Sequence, residues 1–279
     1  MQSAQSERSR VLTPLAVGFS VSKKPVESIH IHARYGAGLP ICPQLYHRSV
    51  QPCGKRLRRW IRATLVGAAV LTVGFYMCCI LELAAVRWTN PPTTALQVER
   101  RLEAWLHHRS YHKRQFIVPL SRISPELQHA VVAAEDGRFF QHHGIDWKEV
   151  DRLVDRDLEE GRLGRGGSTI TQQLIKNLFL TGNRSLLRKA VEFTLAPVAE
   201  RLLSKRRILE LYLNEIEWGP GVYGAEAAAR IWYGIPAARL NREQAARLAA
   251  VIPSPLRRKP ERMDQYSAEI LRRMGQSGW

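Results

Sequence analysis

Cysteine is scarce in this sequence of 279 residues and is absent from its second half. The four cysteines are Cys42, Cys53, Cys78 and Cys79, so everything after residue 79 must fold without a disulfide. Cys42 and Cys53 have no metal-ligand spacing to a histidine, which argues against a zinc site. Residues 1–54 show no sustained period and are interpreted as a flexible cytoplasmic tail or an over-extended gene start.

Acidic residues are also few. The chain has 25 Asp and Glu against 42 Lys and Arg, which gives a formal net charge of +17. Such an excess of positive charge suits an anionic partner, either nucleic acid, an acidic membrane face or a phosphorylated substrate. Charge alone does not choose among these three.

Charged residues are missing from ATLVGAAVLTVGFYMCCIL, residues 63–81. As a helix this stretch would be roughly 28 Å long, close to the hydrocarbon core of a bilayer. It is predicted to be a transmembrane helix, with a buried soluble helix as the alternative. The basic residues crowd its N-terminal side and favour a cytoplasmic N-terminus: they are Lys55, Arg56, Arg58, Arg59 and Arg62. Residues 82–116 are then a linker or jaw-like segment, and residues 117–279 form a domain outside the cytoplasm.

Alternating strand patterns are absent from that domain, where one helix signal follows another. Polar residues that can cap a helix N-terminus precede the apolar periodic segments. These capping residues are Ser124, Asp146, Ser168 or Thr169, Ser185, Ser204 and Asn241. Gly161 is placed to end the helix that Asp146 begins. The sequence therefore predicts a mostly α domain.

The segment GRLGRGGSTITQQLIKN, residues 161–177, lacks the lysine that would make it a P-loop, since Gly167 stands there. It also follows a predicted helix, whereas a P-loop follows a strand, so no nucleotide is expected. A glycine-rich turn before a helix can still bind an anion, or can need only the freedom of glycine. The helix after it is expected to place Gln172 and Lys176 on the face opposite its apolar residues.

Five segments occur in the order AAEDGRFFQHHGID, GGSTITQQLIKN, RSLLRKAVE, KRRILELYLNEIEWGPGVYGAEAAA and LAAVIPSP. Over residues 117–274 the chain resembles the peptidoglycan glycosyltransferases of family 51, and its length is most similar to the monofunctional members. The resemblance implies a lysozyme-like α fold, anchored by one N-terminal transmembrane helix. It also implies polymerisation of lipid II into β-1,4-linked strands at the outer face of the inner membrane, with release of undecaprenyl pyrophosphate.

The resemblance further implies roles for individual residues. Glu135 matches the catalytic carboxylate, and as a general base it should have its pKa raised by burial beside Phe139 and Phe140. Glu192 matches the second glutamate, which orients cations or holds a divalent ion, Mg or Mn. Taken without the resemblance, Arg188 and Glu192 could be a surface ion pair worth about 0.3–0.5 kcal/mol. The implied substrate contacts are Asp136, Phe139, His142, Ser168, Gln172, Gln173, Lys176, Arg184, Arg188 and Lys189.

The implied partners are lipid II, the growing glycan strand, the inner membrane and other cell-wall synthesis or division proteins. Neither a nucleotide nor a nucleic acid is expected. Two other functions stay open: a lysozyme-like enzyme that cleaves glycan, and a non-catalytic cell-wall scaffold. Ile235 stands where the family usually has a lysine, which leaves one cationic contact in doubt.

Overall fold

The computed structural model describes residues 53–161, 167–182 and 185–279. Residues 1–52 of the predicted tail therefore lie outside the described residues. The helices within the described part are α1 (Cys53–Ala85), α2 (Ala95–Leu106), α3 (Pro125–Glu135), α4 (Trp147–Glu160), α5 (Ile170–Phe179), α6 (Leu186–Leu202), α7 (Lys205–Glu215), α8 (Ala225–Tyr233), α9 (Arg242–Ala249) and α10 (Asp264–Gln276). The mostly α architecture expected from the sequence is confirmed.

Helix starts were predictable because their caps are local. A side-chain oxygen of Ser124, Asp146, Ser185 and Ser204 accepts a backbone N–H of the first helical turn. Thr169, one of the two alternatives for its helix, forms a reciprocal capping box, as Asn241 does. At the other end of α4, Gly161 adopts a left-handed conformation with φ of 62°.

Three very short strands form a sheet that the sequence did not predict. They are β1 (Arg114–Gln115), β2 (Glu217–Gly219) and β3 (Val222–Tyr223), in the order β1-β3-β2. β3 pairs parallel with β1 and antiparallel with β2. Strands of two or three residues are too short to show an alternating pattern, so they could not be read from the sequence.

The core lies where α5 packs against α6 and α7, and where α3 packs against α9 and α10. The largest fully buried side chains of the described residues are Trp218, Tyr212, Tyr223, Phe139, Leu83, Ile123, Leu127, Ile170, Leu174, Ile175, Leu195 and Ile208. Helix α4 contributes less to this core. Its large apolar residues Trp147, Val154 and Leu158 are exposed.

Helix α1 is long and apolar enough to cross a membrane. An 18-residue window within its segment Lys55–Ala85 has a mean hydropathy of 2.1, and the predicted span, residues 63–81, lies within that segment. Nearly all side chains of this segment point away from the protein interior. Single-pass anchoring is consistent with this helix.

The C-terminal end of α1 is attached to the rest of the domain. Leu83 and Val86 are buried, and the hydroxyls of Tyr76 and Thr194 lie 2.7 Å apart. Arg207, on α7, donates from Nε to the Val86 carbonyl at 2.9 Å. It also donates from Nη2 to the carbonyl of Thr89. The chain that leaves α1 is therefore fixed to α7.

The segment 82–116, whose fold the sequence did not reveal, contains helix α2 and strand β1. Thr94 caps α2 by accepting the N–H of Gln97, whose side chain is buried. Large apolar residues of α2, by contrast, are exposed: Val98, Leu102, Trp105 and Leu106. α2 is thus amphipathic, a feature that the sequence reading did not recognise.

Candidate active site

A cleft of about 660 Å³ opens between α2, α5, α6, the β2 region and the turn after α9. Six of the predicted site residues line it: Ser168, Gln173, Lys176, Arg188, Lys189 and Glu192. These residues come from two of the quoted sequence segments, GGSTITQQLIKN and RSLLRKAVE. The fold therefore brings half of the predicted site together in one depression.

Glu135 is the last residue of α3 and is partly buried beside this cleft. Gln173 Nε2 donates to Glu135 Oε2 at 2.8 Å, and Gln173 itself lines the cleft. Burial raises the pKa of Glu135, while the Gln173 hydrogen bond and the positive charges of Lys176 and Arg258 act in the opposite direction. The predicted direction of the pKa shift is confirmed. Phe140, expected to help bury the carboxylate, is exposed.

Lys176 projects into the cleft from α5 without an acidic contact. Within the described residues its ammonium takes part in no hydrogen bond or ion pair. Burial lowers the pKa of Lys176, the charge of Glu192 raises it, and the neighbouring Arg188 lowers it again. A partly desolvated ammonium without a carboxylate partner is suited to bind an anion that enters the cleft.

Glu192 is buried, with 3% of its surface exposed, and it holds two cations at the cleft wall. Arg188 Nη1 donates to Glu192 Oε1, and Lys189 Nζ donates to Glu192 Oε2 at 3.0 Å. Lys189 also donates to Ser168 Oγ at 2.8 Å. The interpretation of Arg188 and Glu192 as an exposed surface pair is therefore wrong, because the carboxylate lies in the interior.

Asp136, Phe139 and His142 were expected to contact the substrate, but they lie elsewhere. All three are buried and none of them lines the cleft. Both Asp136 oxygens lie 3.0 Å from His142 Nε2, and Oδ2 also accepts the N–H of Ile170 at the start of α5. Asp136 thus fixes the end of α3, which carries Glu135, to the start of α5.

Gln172 is also placed differently from the expectation. It is buried, and its side-chain oxygen accepts the N–H of Thr169 in the capping box of α5. Its neighbours Thr171 and Asn177 are buried too, so α5 is covered on more than one face. The assumption of a single buried face led to the wrong placement, because a central helix has no polar side.

Arg184 and the loop residues 162–166 lie outside the described residues. Of the loop that resembles a P-loop, Gly167 is described and has φ of 82°, in the left-handed region. Ser168, which follows it, contacts Lys189 as stated above. The described end of the loop is thus connected to the cationic wall of the cleft.

One group of acidic and histidine side chains in the described part of the chain lies close enough together to be considered as a metal site. Asp136, His142 and Asp146 have ligand atoms within 4.8 Å of one another, but the Arg138 guanidinium pairs with Asp146 in the same place. Both oxygens of Glu192 are likewise occupied by cations. These residues do not fit a resident metal ion as they are arranged, and the divalent cation stays a prediction.

Several cleft residues were missed by sequence reasoning. Arg100, Asn177, Tyr212, Glu217 and Arg257 all line the cleft. The Tyr212 hydroxyl donates to Gln173 Oε1 at 2.8 Å. Asn177, Tyr212 and Glu217 lie within the quoted segments but were assigned no role, and Arg100 and Arg257 lie outside those segments. Only the tertiary fold brings all five residues to the cleft.

Comparison with known proteins matches most of the chain to one family. The family model described as Transglycosylase matches residues 102–275. A protein of Thiobacillus denitrificans named biosynthetic peptidoglycan transglycosylase is 48% identical over 204 residues, which cover 72% of this chain and 87% of that protein. A protein of the same name from Azoarcus sp. (strain BH72) is 43% identical over 228 residues, 81% of this chain and 97% of its own. One from Pseudomonas entomophila is 43% identical over 226 residues, 80% and 92% of the two chains.

Proposed function

Because the chain belongs to the transglycosylase family and is a peptidoglycan glycosyltransferase, we propose that its cleft joins lipid II to a growing glycan strand. The donor is the strand on undecaprenyl pyrophosphate, and the acceptor is the 4-hydroxyl of the N-acetylglucosamine in lipid II. One observation carries this proposal. A carboxylate with a raised pKa, Glu135, is hydrogen-bonded to a cleft residue, and the same cleft holds Lys176, Arg188 and Lys189.

Glu135 acts as the general base in this proposal. Its carboxylate takes the proton of the acceptor hydroxyl while the hydroxyl oxygen forms a bond to the anomeric carbon of the donor. The bond from that carbon to the pyrophosphate oxygen breaks, so the α-linkage of the donor becomes a β-1,4 bond. The raised pKa of Glu135 supports this role, because a carboxylate of ordinary pKa holds a proton weakly at neutral pH.

The departing pyrophosphate receives the electron pair and needs positive charge. Lys176, with no carboxylate partner among the described residues, supplies a donor to its oxygens. Arg188 and Lys189 add further donors, and the buried Glu192 holds them in position at the wall. Arg184 stays a predicted contact, since it lies outside the described residues.

The placement in the cell is part of the same proposal. Five basic residues precede the apolar part of α1, which supports a cytoplasmic N-terminus and a periplasmic catalytic domain at the inner membrane. Anchoring confines the enzyme to the plane in which a lipid-linked substrate diffuses. Contacts with other cell-wall synthesis or division proteins stay predictions.

The test is a lipid II polymerisation assay on the full chain in detergent, with Glu135→Gln and Lys176→Ala as variants. Glu261→Gln and Lys148→Ala are matched controls, because both side chains are exposed and form no hydrogen bond or ion pair within the described part of the chain. Intact cell-wall glycan serves as a second substrate. We expect polymer from the wild type and both controls, and a rate lowered roughly 10²- to 10⁴-fold in Glu135→Gln.

Each other outcome contradicts a stated part of the proposal. Fragments released from intact glycan without polymer would indicate the cleaving enzyme, and activity on neither substrate would indicate the scaffold. Full activity of Glu135→Gln would remove this residue as the base. Full activity of Lys176→Ala would remove the lysine from the pyrophosphate site.

A further inference from the structure

Helix α2 forms one wall of the cleft although it lies mostly before the region that matches the family. Leu96 and Arg100 of this helix line the cleft, and the family match begins at residue 102. The wall is tied to the rest of the site. Glu99 Oε2 accepts the N–H of Gly182 at 2.6 Å, and Gln97 Nε2 donates to the buried Glu215 at 3.3 Å. Arg100 is therefore presented to the cleft from a helix that is itself held in place.

Two carboxylates fix the Arg100 guanidinium. Its Nε donates to Glu217 Oε2 at 3.1 Å, and its Nη1 donates to Glu103 Oε2 at 2.9 Å. Glu217 is buried and also lines the cleft. The third nitrogen, Nη2, donates no hydrogen bond to any described residue. A guanidinium carries two N–H donors on that nitrogen, so two donors remain for a ligand.

The charge around Arg100 differs from that of the opposite wall. Two carboxylates, Glu103 and Glu217, surround this single cation. At the α5–α6 wall, by contrast, Glu192 faces three cations. The cationic wall attracts a pyrophosphate, whereas a site with more carboxylates than cations repels it. The α2 wall therefore suits a neutral group that accepts hydrogen bonds.

We propose that Arg100 donates from Nη2 to a neutral oxygen of the lipid-linked disaccharide, a sugar hydroxyl or an acetamido carbonyl, and so contributes to substrate specificity. This inference rests on the cleft being the site of polymerisation. It assigns the two walls different parts of one substrate. The phosphates lie against α5 and α6, and the sugar lies against α2.

Arg100→Lys tests this most directly. Lysine keeps a positive charge beside Glu217 and Glu103. It lacks the planar guanidinium, so it has no second terminal nitrogen to donate to the ligand while the carboxylates are bound. Arg101→Lys is the matched control, because Arg101 is exposed, lies on the same helix and does not line the cleft. Loss of one hydrogen bond should raise KM for lipid II about 3- to 10-fold with kcat nearly unchanged. Arg101→Lys should keep both constants.

Two competitors identify the part of the substrate that Arg100 contacts. Inorganic pyrophosphate and the phosphate-free disaccharide of N-acetylglucosamine and N-acetylmuramic acid are measured as inhibitors of wild type and Arg100→Lys. We expect the inhibition constant of the disaccharide to rise in the variant and that of pyrophosphate to stay the same. A rise for pyrophosphate alone would overturn the proposal in favour of a phosphate contact.

An unchanged KM in Arg100→Lys would also overturn the proposal, while polymerisation itself would still stand. Failure of the wild type to polymerise lipid II would instead contradict the proposed function. If the lysine variant unfolds, Arg100→Gln is used as a second variant, because its amide keeps a hydrogen-bond donor near Glu217. Thermal unfolding of each variant shows whether the variant with the raised KM is still folded.

Discussion

Tyr212 orients Gln173: the tyrosine hydroxyl donates to Gln173 Oε1 at 2.8 Å, and this directs the amide nitrogen to Glu135. Tyr212 is fully buried, and burial raises its pKa well above the ordinary value, so it stays a neutral donor. The glutamine therefore has one orientation, with its donor on the carboxylate.

Tyr212→Phe should lower kcat/KM for lipid II polymerisation by up to about 100-fold. Gln173 then loses the hydrogen bond that keeps its amide nitrogen directed at Glu135. The buried amide oxygen left without a donor should also cost about 1–3 kcal/mol of folding stability. Steady-state kinetics and thermal unfolding check the two effects. An unchanged kcat/KM in a folded variant would show that the orientation of Gln173 has no part in catalysis.

Gln173→Ala should shift the acidic limb of the pH–rate profile to higher pH. The hydrogen bond from Gln173 lowers the pKa of Glu135, so its loss raises that pKa further. A general base acts only when deprotonated, and a higher pKa moves the rise in activity to higher pH. The measurement is kcat/KM against pH for the variant, the wild type and the exposed control Gln276→Ala. A shift to lower pH would contradict the assignment of Glu135 as the base.

Glu192→Gln should move the basic limb of the same profile to lower pH. The charge of Glu192 raises the pKa of Lys176, so removing it lets the ammonium lose its proton at a lower pH. The substitution also replaces two charge-assisted hydrogen bonds, from the partly exposed Arg188 and Lys189, by weaker contacts to a neutral amide, at a cost of about 1–3 kcal/mol in stability. pH-dependent kinetics and chemical denaturation test both parts. A basic limb that does not move would show that Lys176 is not the group whose deprotonation ends activity.

Gly144→Ala should destabilise the domain by more than about 1 kcal/mol. Gly144 has φ of 91°, and a Cβ there would lie 2.8 Å from the backbone of Ala196 and Pro197 on α6. Gly137→Ala is the matched control, since a Cβ at that position meets nothing within 4 Å. Denaturant unfolding of the two variants gives the comparison. Equal stability of both would contradict the close approach of this loop to α6.

The helix boundaries could be predicted from the sequence because a cap such as Ser124 or Thr169 acts within its own turn. The placement of Gln172 could not, because a polar residue in a central helix is buried when its neighbours cover it. Arg100 was missed for a related reason. Its partner Glu217 is distant in sequence, and only the fold of the intervening chain brings the two together.

The Glu135 part of the site followed from a motif, whereas its polar surroundings did not. The sequence placed two phenylalanines beside the carboxylate, but the structure has Gln173 in hydrogen-bond contact and Phe140 exposed. A motif specifies which residue types are retained. It does not specify which face of a helix they turn to.

Helix α7 carries Arg207 near one end and Tyr212 in its next turn. The first residue holds the backbone that leaves α1, and the second orients Gln173. The tilt of a spanning helix depends on the thickness of its bilayer. Reaction rates in vesicles of graded acyl-chain length would report whether that tilt reaches the catalytic residues. We expect α7 to transmit a change in the position of α1 to Gln173. The rate of glycan synthesis would then depend on the physical state of the bilayer.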